Sequence, residues 1–173
     1  MDAEINVPIN FAIVEPGVYR SSFPRTKNIS FLKRLGLKSV ISLVLEEYPP
    51  QMVEFYQSNG IQLLTHGVDG NKGPFKTIES SVFSKIVVDV LNVRNRPILI
   101  HCNKGKHRTG CTIACLRRVR GWALSAVLNE YILFSHPKSR LEDQRYIESF
   151  NVSALPINEY GDIFENDSKE SGK

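Results

Sequence analysis

The amino-acid sequence predicts an α/β fold in which a mostly parallel central sheet is flanked by helices. Short runs of β-branched and other apolar residues alternate along the chain with segments whose apolar residues recur every three or four positions. This alternation favours parallel strands, because a helix carries the chain back across the sheet to the start of the next strand. The length of 173 residues suits one domain with a sizeable core. We expect its ligand site at the carboxyl ends of the strands.

The first predicted elements are short. Residues 10–20 are predicted to form two strands around a Glu-Pro-Gly turn at residues 15–17. Residues 30–35 have apolar side chains at helical spacing, and Gly36 is the expected cap of that helix. Residues 39–44 form a compact β-branched run, which is typical of a buried strand.

The strongest predicted strand, Ile98–His101, lies further along the chain. Before it, prolines open and a glycine closes a helix over residues 49–60, and an apolar strand follows over residues 61–65. A long helix is predicted over residues 77–93, with Thr77 among its capping residues. Three further helices are predicted after the strongest strand, at residues 109–119, 123–134 and 142–150.

The composition of the two ends differs from that of the rest of the chain. Residues 1–9 have no hydrophobic periodicity and are predicted to be disordered. Residues 157–173 contain five acids and two lysines and are predicted to form a flexible tail with a net charge of −3. The predicted single domain covers residues 10–156. Because the whole chain has a net charge of +4, the net charge of residues 1–156 is +7. A basic domain attracts anionic ligands, although lysine and arginine also simply solvate a surface.

Cysteine usage and hydropathy favour a reduced intracellular domain. The sequence has three cysteines, no secretory signal pattern at its start and no apolar run long enough to span a bilayer. We therefore expect a cytoplasmic protein, with the nucleus not excluded. Cys111 and Cys115 share one face of a predicted helix, which favours buried packing, and a disulfide with an oxidised Cys102 is the alternative. No cysteine pair has zinc-site spacing, so no metal and no cofactor are expected.

The loop between Ile98–His101 and the next helix carries the residues with the clearest chemistry. Backbone N–H groups in such a loop can form a nest for an anion, and Gly105 permits the tight turn this needs. Cys102 at its base lies near the helix dipole and Arg108, both of which favour the reactive thiolate. The Arg108 guanidinium can bind two phosphoryl oxygens at once. Thr109 is placed to donate to the Cys102 sulfur, and His101 is expected to orient the loop.

The sequence of this loop, HCNKGKHRTG, resembles the plant-and-fungal atypical dual-specificity phosphatases of the cysteine phosphatase superfamily. It contains the Cys-x5-Arg signature, with His before it and Thr-Gly after it. The resemblance extends from residues 10–21 through residues 67–72 to Asp143, Gln144 and Phe150. It implies the cysteine-phosphatase fold and an enzyme related to those that remove the β-phosphate of inositol pyrophosphates.

The resemblance also implies roles for individual residues. Cys102 carries over as the nucleophile and Arg108 as the phosphate-binding side chain. The backbone donors to the phosphate are those of Asn103, Lys104, Gly105, Lys106 and His107. Three of these residues, Lys104, Lys106 and His107, add positive charge that suits a crowded polyanion. The alternative is that the lysines point into solvent.

The expected general acid is Asp69, which lies in a Gly-Val-Asp-Gly segment where related phosphatases keep their acid loop. The alternative is that Asp69 caps a turn beside Gly70. Lys72 and Lys76 follow on the same segment and either clamp distal phosphates or remain solvated.

Two further pairs of basic residues are weaker signals of function. Arg20 and Arg25 belong to the family-like segment and serve either structure or the rim of the site. Arg117 and Arg118 lie near the end of a predicted helix, where cations are favoured for structural reasons.

These observations predict a metal-independent phosphatase whose substrate is a diphosphoinositol polyphosphate. One alternative is a phosphotyrosine or dual-specificity protein phosphatase, for which phosphoproteins would be the partners. Another is a phosphate-binding scaffold with vestigial activity. Nucleic acid is not expected as a partner, because the basic residues do not alternate with exposed aromatic residues.

Overall fold

The computed structural model describes residues 5–69 and 80–158 of the chain. Its strands are β1 (Ala12–Glu15), β2 (Val18–Ser21), β3 (Ser39–Ser42), β4 (Gln62–Thr65) and β5 (Ile98–His101). They form one sheet with the strand order β1-β2-β5-β3-β4. The first two strands pair antiparallel, and all other pairs are parallel. The predicted α/β class with a mostly parallel sheet is confirmed.

Helices cover both faces of the sheet. They are α1 (Ile29–Arg34), α2 (Pro50–Ser58), α3 (Ser80–Leu91), α4 (His107–Val119), α5 (Leu124–Ser135) and α6 (Leu141–Ser149). Short 3-10 turns lie at Thr26–Asn28, Val93–Asn95 and Val152–Ala154. No helix in the described ranges is long and apolar enough to cross a membrane.

The alternation of side chains along the strands divides the core in two. Ile98 and Ile100 of β5 belong to the larger cluster, which includes residues of α3, α4, α5 and α6. Leu99, between them, belongs to the smaller cluster with Leu32 of α1 and Met52 of α2. Successive strand residues point to opposite faces, so an unbroken apolar run is needed where both faces are covered. This explains why β5 is buried throughout.

The predicted element boundaries differ from the structure by one or two residues at several ends, and two of these differences adjoin the loop after β5. β3 ends at Ser42, two residues earlier than predicted, and the carbonyl of the next residue, Leu43, accepts from Arg108. α4 begins at His107 rather than residue 109, so the helix starts inside the loop. Thr77, the expected cap of α3, lies outside the described residues.

Candidate active site

The loop that follows β5 lies in the middle of the sheet edge formed by the strand carboxyl ends. β5 pairs with β2 on one side and β3 on the other, and His101 is in register with both Ser21 and Ser42. Cys102, the first residue after the strand, is therefore enclosed by neighbouring strand ends and is only 3% exposed. This is the edge at which ligands bind in parallel α/β sheets.

Three successive carbonyl groups of the loop face outward, and each accepts a hydrogen bond. The pairs are Asn103 O with the Phe23 N–H at 3.2 Å, Lys104 O with Asn10 Nδ2 at 2.9 Å, and Gly105 O with Arg20 Nη2 at 3.0 Å. In a planar trans peptide the N–H points opposite to the C=O. The N–H groups of residues 104–106 are therefore turned toward the inside of the loop, where they can bind an anion.

Gly105 is required by the close approach of the loop to β2. Its φ is +67°, and a Cβ built on it would lie 2.6 Å from the carbonyl carbon and oxygen of Ser21. Real Cβ atoms do not approach backbone this closely, so a side chain here must displace either the loop or the end of β2.

We expect Gly105→Ala to lower kcat/KM by a factor of about 100 or more, because a displacement of about 1 Å in a positioning loop has an effect of that size. Gly121→Ala is the matched control, since Gly121 also has positive φ (+73°) but open space around its Cβ position. Steady-state kinetics of both variants, with thermal unfolding, test this. A Gly105→Ala enzyme with wild-type activity would show that the close approach of the loop to β2 does not require glycine.

Arg20 is a buried residue that supports the catalytic loop. Its side chain is 1% exposed, donates to Gly105 O and stacks on the ring of Phe134 with 3.8 Å between the guanidinium carbon and the ring centre. Burial lowers the pKa of Arg20 to about 10, so the group remains charged at neutral pH. Of the two roles left open for Arg20, the structure supports the structural one.

Arg108 joins the loop to two other strand ends. Its Nη1 donates to Leu43 O at 3.0 Å and to Val68 O at 3.2 Å. Among the described residues, no hydrogen-bond acceptor lies on its Nε and Nη2 atoms, so this edge of the guanidinium is available to a phosphoryl group. The carbonyl bonds thereby fix the orientation in which Arg108 would meet its ligand.

His101 is a buried neutral histidine beneath the loop. Its Nδ1–H donates to the Cys102 carbonyl at 3.4 Å, so its Nε2 accepts from the Tyr48 hydroxyl. Burial lowers the pKa of His101 to about 4. The ring also makes an edge contact with Phe23. These contacts support the orienting role expected for His101 and connect it to Tyr48.

Thr109 does not make the bond expected from the sequence. Its Oγ1 is buried and has no hydrogen-bond partner in the described part of the chain, so no bond to the Cys102 sulfur is present. The hydroxyl is held at the first turn of α4, directly after Arg108.

The basic and polar side chains of the loop rim have separate surroundings. Lys106 Nζ donates to His136 O at 2.6 Å, and His107 Nε2 donates to Lys138 O at 2.7 Å. Both carbonyls belong to the connection between α5 and α6. The polar ends of Lys106 and His107 thus bind the α5–α6 connection. Lys104 is exposed.

Asn103 is tied to an acidic residue that the sequence analysis did not identify. Its Nδ2 donates to Glu46 Oε1 at 3.0 Å, and this bond lowers the pKa of the Glu46 carboxyl. The positive charge of Arg108 contributes to the same shift. An acidic group therefore lies at one side of the loop.

The structure places Asp69 at the end of a segment anchored to β3. The Val68 N–H donates to Leu43 O at 3.3 Å, and Val68 O accepts from Arg108. Asp69 is exposed and directly follows this anchored residue. Lys72 and Lys76 lie outside the described residues.

A buried polar cluster lies behind α4. The Tyr131 hydroxyl donates to Asp143 Oδ2 at 2.6 Å, and Asp143 also accepts from the Cys111 thiol. Burial, together with the Asp143 carboxylate, raises the pKa of Cys111 and keeps it protonated. All three cysteines are free thiols, and Cys111 and Cys115 are buried.

The sequence analysis missed Glu46 and Tyr48, which lie on the loop after β3. The signal that could have identified them is their position just beyond a strand end, at the sheet edge where ligands bind. No group of three or more histidine, cysteine or acidic side chains arranged for a metal occurs among the residues that the structure describes.

Comparisons with known families and known proteins find similar sequences. A family model described as the tyrosine phosphatase family matches residues 5–168. Inositol diphosphatase SIW14 of Saccharomyces cerevisiae is 47% identical over 152 residues, and inositol diphosphatase DSP1 of Oryza sativa subsp. japonica is 45% identical over 148 residues. The matches cover 87% and 86% of this chain, and 54% and 67% of the two relatives. The chain therefore spans about half the length of the yeast protein.

A comparison of structures gives the same result. The solved catalytic core of Siw14 superimposes with a TM-score of 0.82 at 48% identity, covering 86% of this chain and 88% of that one. The predicted resemblance and the predicted fold are both confirmed.

Proposed function

Because the chain belongs to the tyrosine phosphatase family, we propose that it is a cysteine-dependent phosphatase that removes the β-phosphate of diphosphoinositol polyphosphates. The observation that carries this proposal is the position of Cys102 at the base of a loop whose amides face inward and whose Arg108 presents one edge of its guanidinium. That arrangement binds a phosphoryl group and supplies a nucleophile for it.

The chemistry proceeds in two balanced steps. The Cys102 thiolate attacks the β-phosphorus in line, an S–P bond forms, and the P–O bond to the leaving inositol phosphate breaks. Water then attacks the same phosphorus, the S–P bond breaks, and orthophosphate leaves while the thiolate is restored. In both steps the charge on the equatorial phosphoryl oxygens is stabilised by the loop amides and by Arg108.

The substrate class is supported by the relatives and by charge. Relatives at 38–47% identity carry the name inositol diphosphatase. The basic domain and its basic loop rim suit a compact polyanion better than a single phosphate on a neutral peptide. Phosphoproteins as additional substrates are the second candidate, since the family description is that of tyrosine phosphatases.

Phosphate release from three substrates tests this proposal. They are a diphosphoinositol polyphosphate, the matching inositol polyphosphate without a pyrophosphate, and a phosphotyrosine peptide, all with a chelator present. We expect one phosphate to be released from the first and none from the second. Preference for the peptide would replace our substrate by a phosphoprotein, and no release from any would favour a phosphate-binding scaffold.

We expect Asp69→Asn to slow an aryl phosphate much more than a pyrophosphate. A phenolate leaving group needs a proton, and general acids contribute roughly 100-fold or more. A leaving phosphate, whose pKa is about 6, departs without a proton. Asp69→Asn should therefore slow cleavage of the pyrophosphate by less than about tenfold. Comparing kcat for phenyl phosphate and for the diphosphoinositol polyphosphate measures this difference.

Glu54→Gln is the control for Asp69→Asn, because it removes an exposed carboxylate from α2 rather than from the segment that Arg108 anchors. Equal slowing of both substrates by Asp69→Asn would show that Asp69 is not the general acid.

A further inference from the structure

A basic groove of about 420 Å³ lies beside the catalytic loop. One wall is the N-terminal segment at residues 7–9, and another is the connection between β2 and α1. The loop residues Asn103, Lys104 and Lys106 form the rest of the lining. Cys102 and Arg108 are not part of the lining that the structure describes, so the groove is distinct from the base of the loop.

The groove has four cationic side chains in its lining and no carboxylate among the described lining residues. Arg25, Lys27 and Lys104 are exposed, and within the described chain none of them forms an ion pair. The fourth, Lys106, binds only a carbonyl, which leaves its charge uncompensated.

Three arginines elsewhere in the molecule have acidic partners, in contrast to the groove cations. Arg117 lies 2.9 Å from Glu130, and Arg96 and Arg120 lie 2.9 and 3.0 Å from Glu15. Carboxylates therefore offset part of the positive charge at these positions, whereas the four cations of the groove lining have no acidic partner among the described residues. Such a concentration of one sign in a concave surface attracts polyanions.

The groove is held rigidly against the catalytic loop. The Phe23 N–H donates to Asn103 O, and Asn10 Nδ2 donates to Lys104 O, so both outer walls are bonded to the loop itself. Asn28 joins the two walls, because its Nδ2 donates to Asn6 O at 2.9 Å and its Oδ1 accepts from the Arg25 N–H at 2.8 Å. The cations are thus mounted on a scaffold whose position relative to the loop is fixed.

We propose that Arg25, Lys27 and Lys104 bind the non-scissile phosphates of a polyphosphorylated substrate while its terminal phosphate occupies the catalytic loop. The inference rests on the proposed function for its substrate and adds the residues that determine specificity. A ligand with a single phosphate fills the loop alone. A ligand with several phosphates on one ring also reaches the adjacent groove, and gains charge contacts there.

The test compares two double variants with the same change in charge. Arg25→Gln with Lys27→Gln removes two groove cations, and Lys33→Gln with Arg34→Gln removes two exposed cations of α1 outside the groove. For each, kcat/KM is measured for a diphosphoinositol polyphosphate and for phenyl phosphate. We divide kcat/KM for the diphosphoinositol polyphosphate by kcat/KM for phenyl phosphate. We expect this ratio to fall about tenfold in the groove variant and to stay at the wild-type value in the α1 variant.

A second measurement separates failure of the groove from failure of the proposed function. Calorimetry measures the affinity of inositol hexakisphosphate for three proteins: Cys102→Ser alone, Cys102→Ser with the two groove substitutions, and Cys102→Ser with the two α1 substitutions. A loss of about tenfold in affinity supports the groove even if the wild type does not cleave the pyrophosphate. An unchanged affinity, or an equal loss in the α1 variant, overturns the proposal. Substrate turnover by the wild type with an unchanged ratio in the groove variant overturns it as well.

Discussion

Cys102→Ser is expected to abolish phosphate release, lowering kcat by a factor of about 10⁴ or more. Serine is nearly isosteric with cysteine, but its hydroxyl remains protonated where a thiol ionises. The amides that face into the loop and the Arg108 guanidinium stay in place, because neither depends on the sulfur for its position. The variant should therefore bind a diphosphoinositol polyphosphate with wild-type affinity while failing to cleave it.

Cys115→Ala is the matched control for this variant. Cys115 is a buried thiol of α4, and its removal leaves a small cavity in the core without touching the loop. We expect it to lower the free energy of unfolding and to leave kcat close to that of the wild type. Equal inactivation of both variants would mean that Cys102 acts through folding rather than chemistry.

Arg108→Lys is expected to lower kcat/KM by a factor of about 100 to 1,000, even though the charge is retained. Arginine uses Nη1 for the Leu43 and Val68 carbonyls and keeps another edge for the phosphoryl oxygens. Lysine has one ammonium group at a single point and cannot satisfy both sets of acceptors in the same geometry. Steady-state kinetics of the variant measure the loss of phosphoryl binding, and thermal unfolding measures the loss of the bonds to the two carbonyls.

Arg118 offers a close control, because its Nη1 also donates to two backbone carbonyls, those of Ile147 and Glu148. Arg118→Lys removes the same kind of structural contact from α4 at a distance from the catalytic loop. We expect similar losses of stability in both variants and a loss of activity only in Arg108→Lys. Similar activity in the two would show that Arg108 is a structural residue.

The parts of the site predicted from the sequence are those whose residues are close together along the chain. Both ends of β5 are predicted correctly, because a strand that is covered on both faces is an apolar run without polar interruptions. Cys102, Gly105 and Arg108 lie close together in the sequence, so their spacing alone indicates a phosphate-binding loop.

The contacts that hold the loop could not be predicted, because they join residues far apart in sequence. Arg20 reaches Gly105 across 85 positions, and Tyr48 reaches His101 across 53. Neither pair has a local pattern that indicates the contact. The sequence left the Lys106 side chain either at the substrate or in solvent, whereas in the structure its Nζ donates to the carbonyl of His136, 30 positions away.

The most direct test of the account is to trap the phosphoenzyme. Wild-type protein is mixed with a diphosphoinositol polyphosphate, quenched with denaturant within the first turnover, and digested for mass spectrometry. Since a phosphate leaving group departs readily, the first step is expected to outrun hydrolysis. We therefore predict a burst in which the peptide containing Cys102 gains one phosphoryl group on its sulfur. Release of orthophosphate without phosphorylated Cys102 at any time in that turnover would contradict the proposed mechanism.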